Sequence, residues 1–546
     1  MLEGLMMRRP LRVGDILDYA AEIHPQAEVV SAAAEGGLHR ASYPRLRDRV
    51  AHLAAGLRAM GIGPGDRVAT LAWNTFRHFE LYYAIAGIGA VCHTINPRLP
   101  PDQLAYIANH AEDRALCFDL SFAPLVETLR DRLPRSLKPV ALCAAADLPA
   151  MNLSGVTAFE DLFAHGAIDA WPDVAEDAAC ALCYTSGTTG EPKGVLYSHR
   201  AMVLHSLFLV ASSQTTYREG KRILPVVPLF HANAWGIPYA APLAGVSIVM
   251  PGSRLDGPSL WQLLDSERVT CAYGVPTVWL GLLDEMDRRG AAPASLEEVV
   301  IGGSAAPRPM IERFMKGYGV DVIHGWGMTE MSPVGTLSSL TPGMKARALD
   351  ERIDLKARQG RRMFGVEMKI VDEAGRRLPH DGVATGELHV RGNGVVSGYF
   401  DNDAATAAAF DDDGWFRTGD VAAIGPDGFL AVADRAKDLI KSGGEWISSL
   451  DIESIVMGHP GVANCAVIAV PHPKWDERPL LVVQKAPGTD PGVEELRGHV
   501  GARVAKWQVP DDVAFVDELP LTATGKVAKR ILRERFRDHP MERAPG

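Results

Sequence analysis

From Ser42 onward the apolar positions of the chain switch between two spacings. Between Tyr43 and Met60, and between Arg77 and Ile88, they recur every three to four residues, which predicts helices with one buried stripe. Short apolar runs of strand length lie beside them at Arg67 to Leu71 and Ala90 to Thr94. The alternation returns at Leu224 to Val227, Val246 to Met250, Val269 to Tyr273, Glu298 to Ile301 and Asp321 to His324, and many of these runs end in Gly-rich or polar turns. Strands alternating with helices predict an α/β sheet, and open α/β sheets take ligands at the turns beyond their strand ends. From Gly365 to Val432 the pattern shortens to alternating strands with turn signals such as Asp381-Gly382 and Asp427-Gly428, a β-rich subdomain. After Asp434-Arg435-Ala436-Lys437-Asp438 a compact α+β unit of about 110 residues begins. The expected fold is therefore α/β, with a large N-terminal domain of α/β sheets plus a β-rich subdomain over residues 1–436. A small α+β C-terminal domain follows over 437–546, and Pro540 to Gly546 reads as a frayed tail.

Composition narrows the function classes. At 546 residues the chain exceeds one hydrophobic core, and 47% apolar with 23% charged residues indicates a soluble globular protein. A formal net charge of -11 argues against a generic nucleic-acid surface, so an anionic ligand must be met by individually placed lysines and arginines. Seven scattered cysteines make no disulfide framework and fit a reducing cytoplasm. Cys180 and Cys183 form a C-x-x-C without a second Cys or His pair at metal spacing, and read as small buried hydrophobes. The N-terminus carries Arg8 and Arg9 without an apolar core after them, so no secretory signal is read. Residues 223–253 lack Asp, Glu, Lys and Arg but are broken by five prolines, too often for a membrane span.

The segment Tyr184-Thr185-Ser186-Gly187-Thr188-Thr189-Gly190-Glu191-Pro192-Lys193-Gly194 concentrates hydroxyls, glycines and one lysine. Glycines let backbone N–H groups approach an anion, and the hydroxyls and Lys193 add donors and charge, a composition that suits a triphosphate. It is not a kinase-type phosphate loop, because Lys193 follows Pro192 and precedes Gly194. A flexible surface linker is the alternative. The apolar flanks Ala181 to Tyr184 and Val195 to Tyr197 favour a tight turn between buried strands.

Further blocks stand downstream in series: Pro228-Leu229-Phe230-His231, Gly302-Gly303-Ser304-Ala305, His324-Gly325-Trp326-Gly327-Met328-Thr329-Glu330, Thr418-Gly419-Asp420, Asp434-Arg435, Lys441-Ser442-Gly443-Gly444-Glu445 and Gly525-Lys526. Together with the opening loop they resemble the adenylate-forming superfamily of acyl-CoA synthetases, nonribosomal adenylation domains and firefly luciferase. The resemblance covers most of the chain. His231-Ala232-Asn233-Ala234-Trp235, Ser442 to Ser448 and Pro471-His472-Pro473-Lys474-Trp475 are most similar to bacterial medium- and long-chain fatty acyl-CoA ligases and the related methylthiopropionate ligases. Trp326 stands where the superfamily often has Tyr, and Trp446 where it often has Lys or Asn.

The resemblance implies an enzyme that joins a carboxylic acid to ATP as an acyl adenylate and passes the acyl group to CoA, a medium-chain fatty acid being the first expectation and methylthiopropionate the alternative. It implies Mg2+ held by Glu330 and Thr185, and phosphate contacts from Ser186, Gly187, Thr188, Thr189, Gly190 and Lys193. Gly302, Gly303 and Trp326 would form the adenine slot with the indole stacking, a core tryptophan being the alternative, and Ser304, His324, Gly325, Gly327 and Thr329 would bind the cofactor beside them. Asp420 would accept the ribose hydroxyls with Arg435 in support; a turn cap and a surface ion pair are the alternatives. His231 and Trp235, four residues apart and so on one face of a helix, would border the acyl group, or form a core pair. Lys526 would contact the reacting carboxylate and α-phosphate. Lys441, Gly443, Gly444, Glu445, Trp446 and Lys474 would serve thioester formation, or be ordinary surface residues. The C-terminal domain would be mobile, turning at a hinge at Lys437. Homodimers are common in such families. A multimodular adenylation domain would continue into a carrier domain, whereas the chain stops twenty residues after Lys526, which favours a free-standing ligase. A luciferase-like oxygenase and a non-enzymatic nucleotide or acyl-CoA binder are the other rivals.

Overall fold

The computed structural model describes residues 1–33, 36–185, 191–443, 445–522 and 525–540. The expectations placed on Ser186, Gly187, Thr188, Thr189, Gly190 and Gly444, and on most of the Pro540 to Gly546 tail, lie outside those residues.

Burial accounts for the principal elements. Helix Tyr43–Ala59 has Pro44 in its first turn and buries Leu46, Val50, Leu53, Ala54 and Leu57 on one face. Each of the leucine and valine side chains contributes about 1.5–3 kcal/mol relative to exposure. Helix Phe76–Gly87 is buried on every side. A helix without a polar face belongs in the interior, and this one packs against strands of two different sheets, Glu28–Ala32 of one and Val91–Thr94 and Ala179–Thr185 of the other.

Among the described residues the first sheet has seven strands in the order Thr157–Ala158, Lys138–Ala141, Ala115–Phe118, Arg67–Leu71, Val91–Thr94, Ala179–Thr185 and Lys193–Ser198. All neighbours are parallel except the last pair. The second sheet has thirteen strands among the described residues. Its parallel half runs through Ser247–Met250, Arg222–Pro225, Cys271–Gly274 and Glu298–Ile301 to Asp321–Gly327. There the sheet changes direction: Asp321–Gly327 is parallel to Glu298–Ile301 and antiparallel to Val334–Leu337. The expected β-rich subdomain is thus no separate sheet. Phe429–Arg435 pairs with Gly360–Arg362, which pairs with Val334–Leu337, so the strands from Val366 to Arg435 extend the large one. Among the described residues the C-terminal unit has its own five-stranded sheet and its own apolar cores around Ile440, Val467, Leu481 and Leu496, and around Ile468, Val482 and Leu532.

The strands Arg67–Leu71 and Glu298–Ile301 coincide with expectation residue for residue. Helix Lys529–Arg535 begins only three residues after Lys526, because Val527 bridges back to Leu521. Unread in the sequence were helix Val13–Ile23 and the hairpin of Glu28–Ala32 with Leu38–Ser42, which completes one edge of the large sheet. All seven cysteines are buried and free. No helix among the described residues is long and apolar enough to cross a membrane.

Candidate active site

Three groups of side chains converge where the large sheet changes direction. The first begins at the ends of the strands that flank the hydroxyl-rich loop, where Thr185 pairs across the ladder with Lys193. Lys193 Nζ lies 4.9 Å from the centroid of the Tyr399 ring, and the Tyr399 hydroxyl donates to Glu330 Oε1 at 2.9 Å. Glu330 is 7% exposed. Burial raises its carboxyl above the ordinary range, opposed by the Tyr399 hydrogen bond and by the charges of Arg435 and Lys193. No cluster of three acidic, His or Cys side chains gathers there among the described residues. A single buried carboxylate fits Mg2+ held mainly through substrate phosphates and water, which is how that ion is usually bound.

The second group centres on Asp420, 2% exposed. Arg435, its partner across the paired strands, places Nε 2.7 Å from Asp420 Oδ1, and Trp326 Nε1–H donates to Oδ2 at 2.8 Å. Asp420 therefore caps no turn with its side chain, and the Arg435 ion pair is made to a buried carboxylate. Lys526 enters the same group. Burial first, then repulsion from Arg435 and Lys437 against attraction by Asp420, brings its ammonium down to about 8. The Gly525 carbonyl beside it accepts from Thr277 Oγ1 at 3.5 Å, so the turn from the C-terminal unit rests on the start of helix Pro276–Arg289.

The third group lies on the loop after strand Glu298–Ile301. A β-carbon on Gly302 would fall 2.9 Å from Trp235 Cη2 and 3.2 Å from the Gly325 carbonyl oxygen. Gly303 has φ +79°, and a β-carbon there would be 3.8 Å from both Lys526 Cε and Trp235 Cζ2. Only glycine gives this approach without strain. His324 supports the loop from behind: Nε2 accepts from Ala306 N–H at 3.2 Å and Nδ1–H donates to the Ala357 carbonyl at 3.1 Å. Burial lowers its pKa to about 4, so it is neutral and its ring nitrogens are occupied by backbone. Ser304 is exposed on the same loop, while Gly325 and Gly327 flank Trp326 in their strand and Thr329 sits in the short turn Thr329–Met331 that carries Glu330.

The expectation that His231 and Trp235 share a helix face is corrected by the backbone. Ala232, Asn233, Ala234, Trp235 and Gly236 all have positive φ, at 44°, 53°, 45°, 57° and 82°, so the turn is left-handed. A left-handed residue with a β-carbon costs roughly 1–2 kcal/mol. Both side chains nevertheless reach the site: the Trp235 indole covers Gly302 and meets Tyr273 edge-on at 6.2 Å. Burial lowers His231 to about 4, with the charge of Lys526 pushing the same way, which leaves a neutral imidazole near that lysine.

Lys441, Gly443, Glu445, Trp446 and Lys474 are not brought into this site. Lys441 faces Trp446 across a hairpin with Nζ 5.8 Å from its ring centroid, and Lys474 Nζ is 4.6 Å from that of Trp475. Trp475 lies against Gly443, whose N–H donates to the Trp475 carbonyl at 2.8 Å. Glu445 is exposed, as are the indoles of Trp446 at 48% and Trp475 at 38%. Among the described residues no hydrogen bond, ion pair or ring contact joins these side chains to Asp420, Glu330 or Gly302. Lys437 lies exposed in the turn after Arg435.

Sequence reasoning missed two features. Tyr399, the link between Lys193 and Glu330, stands in a loop with no signal beyond an aromatic residue after glycine. Asp434 accepts from Ser449 N–H at 2.8 Å, and Lys529 Nζ donates to Ser449 Oγ at 2.5 Å and pairs with Glu453 Oε1 at 2.8 Å. This buried chain of contacts ties the segment before Lys437 to the helix after Lys526.

The geometry agrees with what the chain is similar to. The AMP-binding enzyme family matches residues 17–400, and the AMP-binding enzyme C-terminal domain matches residues 451–526. The chain is 48% identical over 536 residues to 3-methylmercaptopropionyl-CoA ligase of Ruegeria lacuscaerulensis, covering 98% of this chain and 99% of that protein. It is 47% identical over 536 residues to medium-chain-fatty-acid–CoA ligase of Ectopseudomonas oleovorans, covering 98% of each. The solved structure of anthranilate CoA ligase AuaEII in complex with anthranoyl-AMP superposes with a TM-score of 0.85 at 25% identity, covering 97% of this chain and 98% of that one. The chain belongs to the AMP-binding enzyme family, as a ligase with a large N-terminal and a small C-terminal domain.

Proposed function

We propose that the protein is an ATP-dependent carboxylic acid–CoA ligase that activates a medium-chain fatty acid as the acyl adenylate and transfers it to CoA, releasing AMP and pyrophosphate. The observation that carries this reading is Lys526, delivered by the C-terminal unit into the group of Asp420, Arg435 and Gly303 with its ammonium tuned to about 8. Attack of a carboxylate on the α-phosphorus brings like charges together, at a cost of about 4 kcal/mol for 4 Å at an effective dielectric of about 20. Lys526 and Lys193 counter that repulsion, and preorganised donors of this kind act most strongly on charge that develops in the transition state. Glu330 and Thr185 would hold Mg2+, which neutralises phosphate charge when bound. Asp420 has acceptor capacity left beyond Arg435 and Trp326 for ribose hydroxyls. Gly302, Gly303 and Trp326 border the adenine, and neutral His231 with Trp235 borders the acid.

Thioester formation is assigned to the exposed face of Lys441, Gly443, Glu445, Trp446 and Lys474, brought in by rotation of residues 437–546 about Lys437. A second substrate, 3-methylthiopropionate, is favoured by the relative at 48% identity, level with the fatty-acid ligase at 47%. A cytoplasmic homodimer fits the reading, the compartment through the seven free thiols, and light scattering tests the dimer. The deciding experiment is CoA-dependent AMP release across acids of increasing length, with methylthiopropionate included. Turnover that peaks at medium-chain acids supports the first reading, a maximum at the thioether acid supports the second, and no acid-dependent AMP release with any substrate removes both.

A further inference from the structure

We infer that the left-handed turn Ala232–Gly236 is the device that fixes the Trp235 indole over Gly302, and that Asn233 is its positioning residue. This rests on the reading of Trp235 as a wall of the acid pocket. Successive left-handed residues bearing β-carbons run against the chirality of the chain, which tolerates them as single residues. Four stand here in a row before Gly236. Such a run persists only where its surroundings over-determine it.

Those surroundings are on both sides of the turn. Upstream, the Asn74 side chain donates to the Pro225 and Val227 carbonyls at 2.8 and 2.9 Å and accepts from Leu229 N–H at 2.7 Å, while the Tyr82 hydroxyl donates to the Leu229 carbonyl. Downstream, the Tyr83 hydroxyl donates to the Pro238 carbonyl at 2.6 Å. Gly236 leaves no room for a side chain, since a β-carbon would fall 2.9 Å from His205 Nδ1, a ring anchored by Val334 N–H at 3.1 Å. Inside the turn, Asn233 is fully buried between two sulfurs, its Oδ1 3.8 Å from Cys183 Sγ and its Nδ2 3.9 Å from Met202 Sδ. Asparagine is among the few residues that accept the left-handed region. The second cysteine of the C-x-x-C thus has a use, as the floor on which the turn is set. The opposite hand would direct the residue 235 side chain elsewhere.

Asn233→Ala keeps a β-carbon but loses both the preference and the contacts, whereas Asn233→Gly loses the contacts and keeps free access to positive φ. We expect Asn233→Ala to lower kcat/KM for the acid, by up to about 10^2-fold for a misplaced pocket wall, with KM for ATP unchanged and the chain-length optimum moved. Asn233→Gly should recover most of that loss. Ala234→Gly, which removes a strained β-carbon outside any binding contact, should raise the melting temperature without shifting the length optimum. Unaltered acid kinetics in folded Asn233→Ala, equal damage in Asn233→Gly, or a lowered melting temperature in Ala234→Gly would each overturn the inference. These readouts are ratios to the wild type, so a wild type without acid-dependent AMP release defeats the ligase reading instead.

Discussion

The C-terminal unit presents two faces that treat their lysines in opposite ways. On one, Lys526 is half-buried beside Asp420 and Arg435, and its ammonium is weakened to about 8. On the other, Lys441 and Lys474 lie over the rings of Trp446 and Trp475, in a group that water reaches. The buried face has the preorganisation expected of groups that stabilise developing charge. The exposed face has aromatic surface and cations waiting for a partner. On the proposed mechanism this orientation would be the one that serves adenylation, and the second face would be left for the later step.

That comparison can be broken by separating the half-reactions. Lys526→Ala should lose about 10^2- to 10^3-fold in acid-dependent ATP/pyrophosphate exchange, the scale of one charge-stabilising donor, while thioester formation from pre-made acyl adenylate and CoA stays near the wild-type rate. Equal loss of both steps in folded protein would leave a single static site. Glu330→Ala, on the large domain, should remove most exchange activity and little stability, since burial already works against the charged carboxylate that the substitution removes. Normal Mg2+-dependent exchange would rule out its assignment. Lys437→Pro should do the reverse of Lys526→Ala: a pivot stiffened by about 1.4 kcal/mol slows thioester formation about tenfold and spares exchange. The smallest effect is on pH. Because Lys526 acts as the ammonium, kcat/KM for adenylation should decline above about pH 8, by up to about tenfold per unit, and Lys526→Ala should abolish that limb. The stability term has the opposite sign: between about 8 and 10.5 the unfolded lysine keeps its proton and the native one does not, so this group's contribution rises with pH there.

The strands of the α/β sheet were legible because each is a short apolar run closed by a turn, and Arg67–Leu71 and Glu298–Ile301 needed nothing else. The site residues were legible mainly through their blocks, since Asp420, Trp326 and Lys526 come together from distant segments that no local pattern connects. Handedness at Ala232–Gly236 was not legible. Ala-Asn-Ala-Trp reads as helix, and the opposite hand is imposed by Asn74, Tyr82, Tyr83 and His205 from elsewhere in the chain. Tyr399 and Lys529 were hidden for the same reason, because their partners Glu330 and Ser449 are 69 and 80 residues away.

Arg435, which grips Asp420, stands two residues before Lys437. On the proposed mechanism, with the pivot at Lys437, this pair would belong to the fixed body and the moving arm would start just beyond it. A swing of that arm would exchange the lysine at the reaction centre for the aromatic hairpin without loosening the clasp. The reactive anhydride would then wait in place while its surroundings are swapped around it, so that little of it escapes to hydrolysis between the two steps.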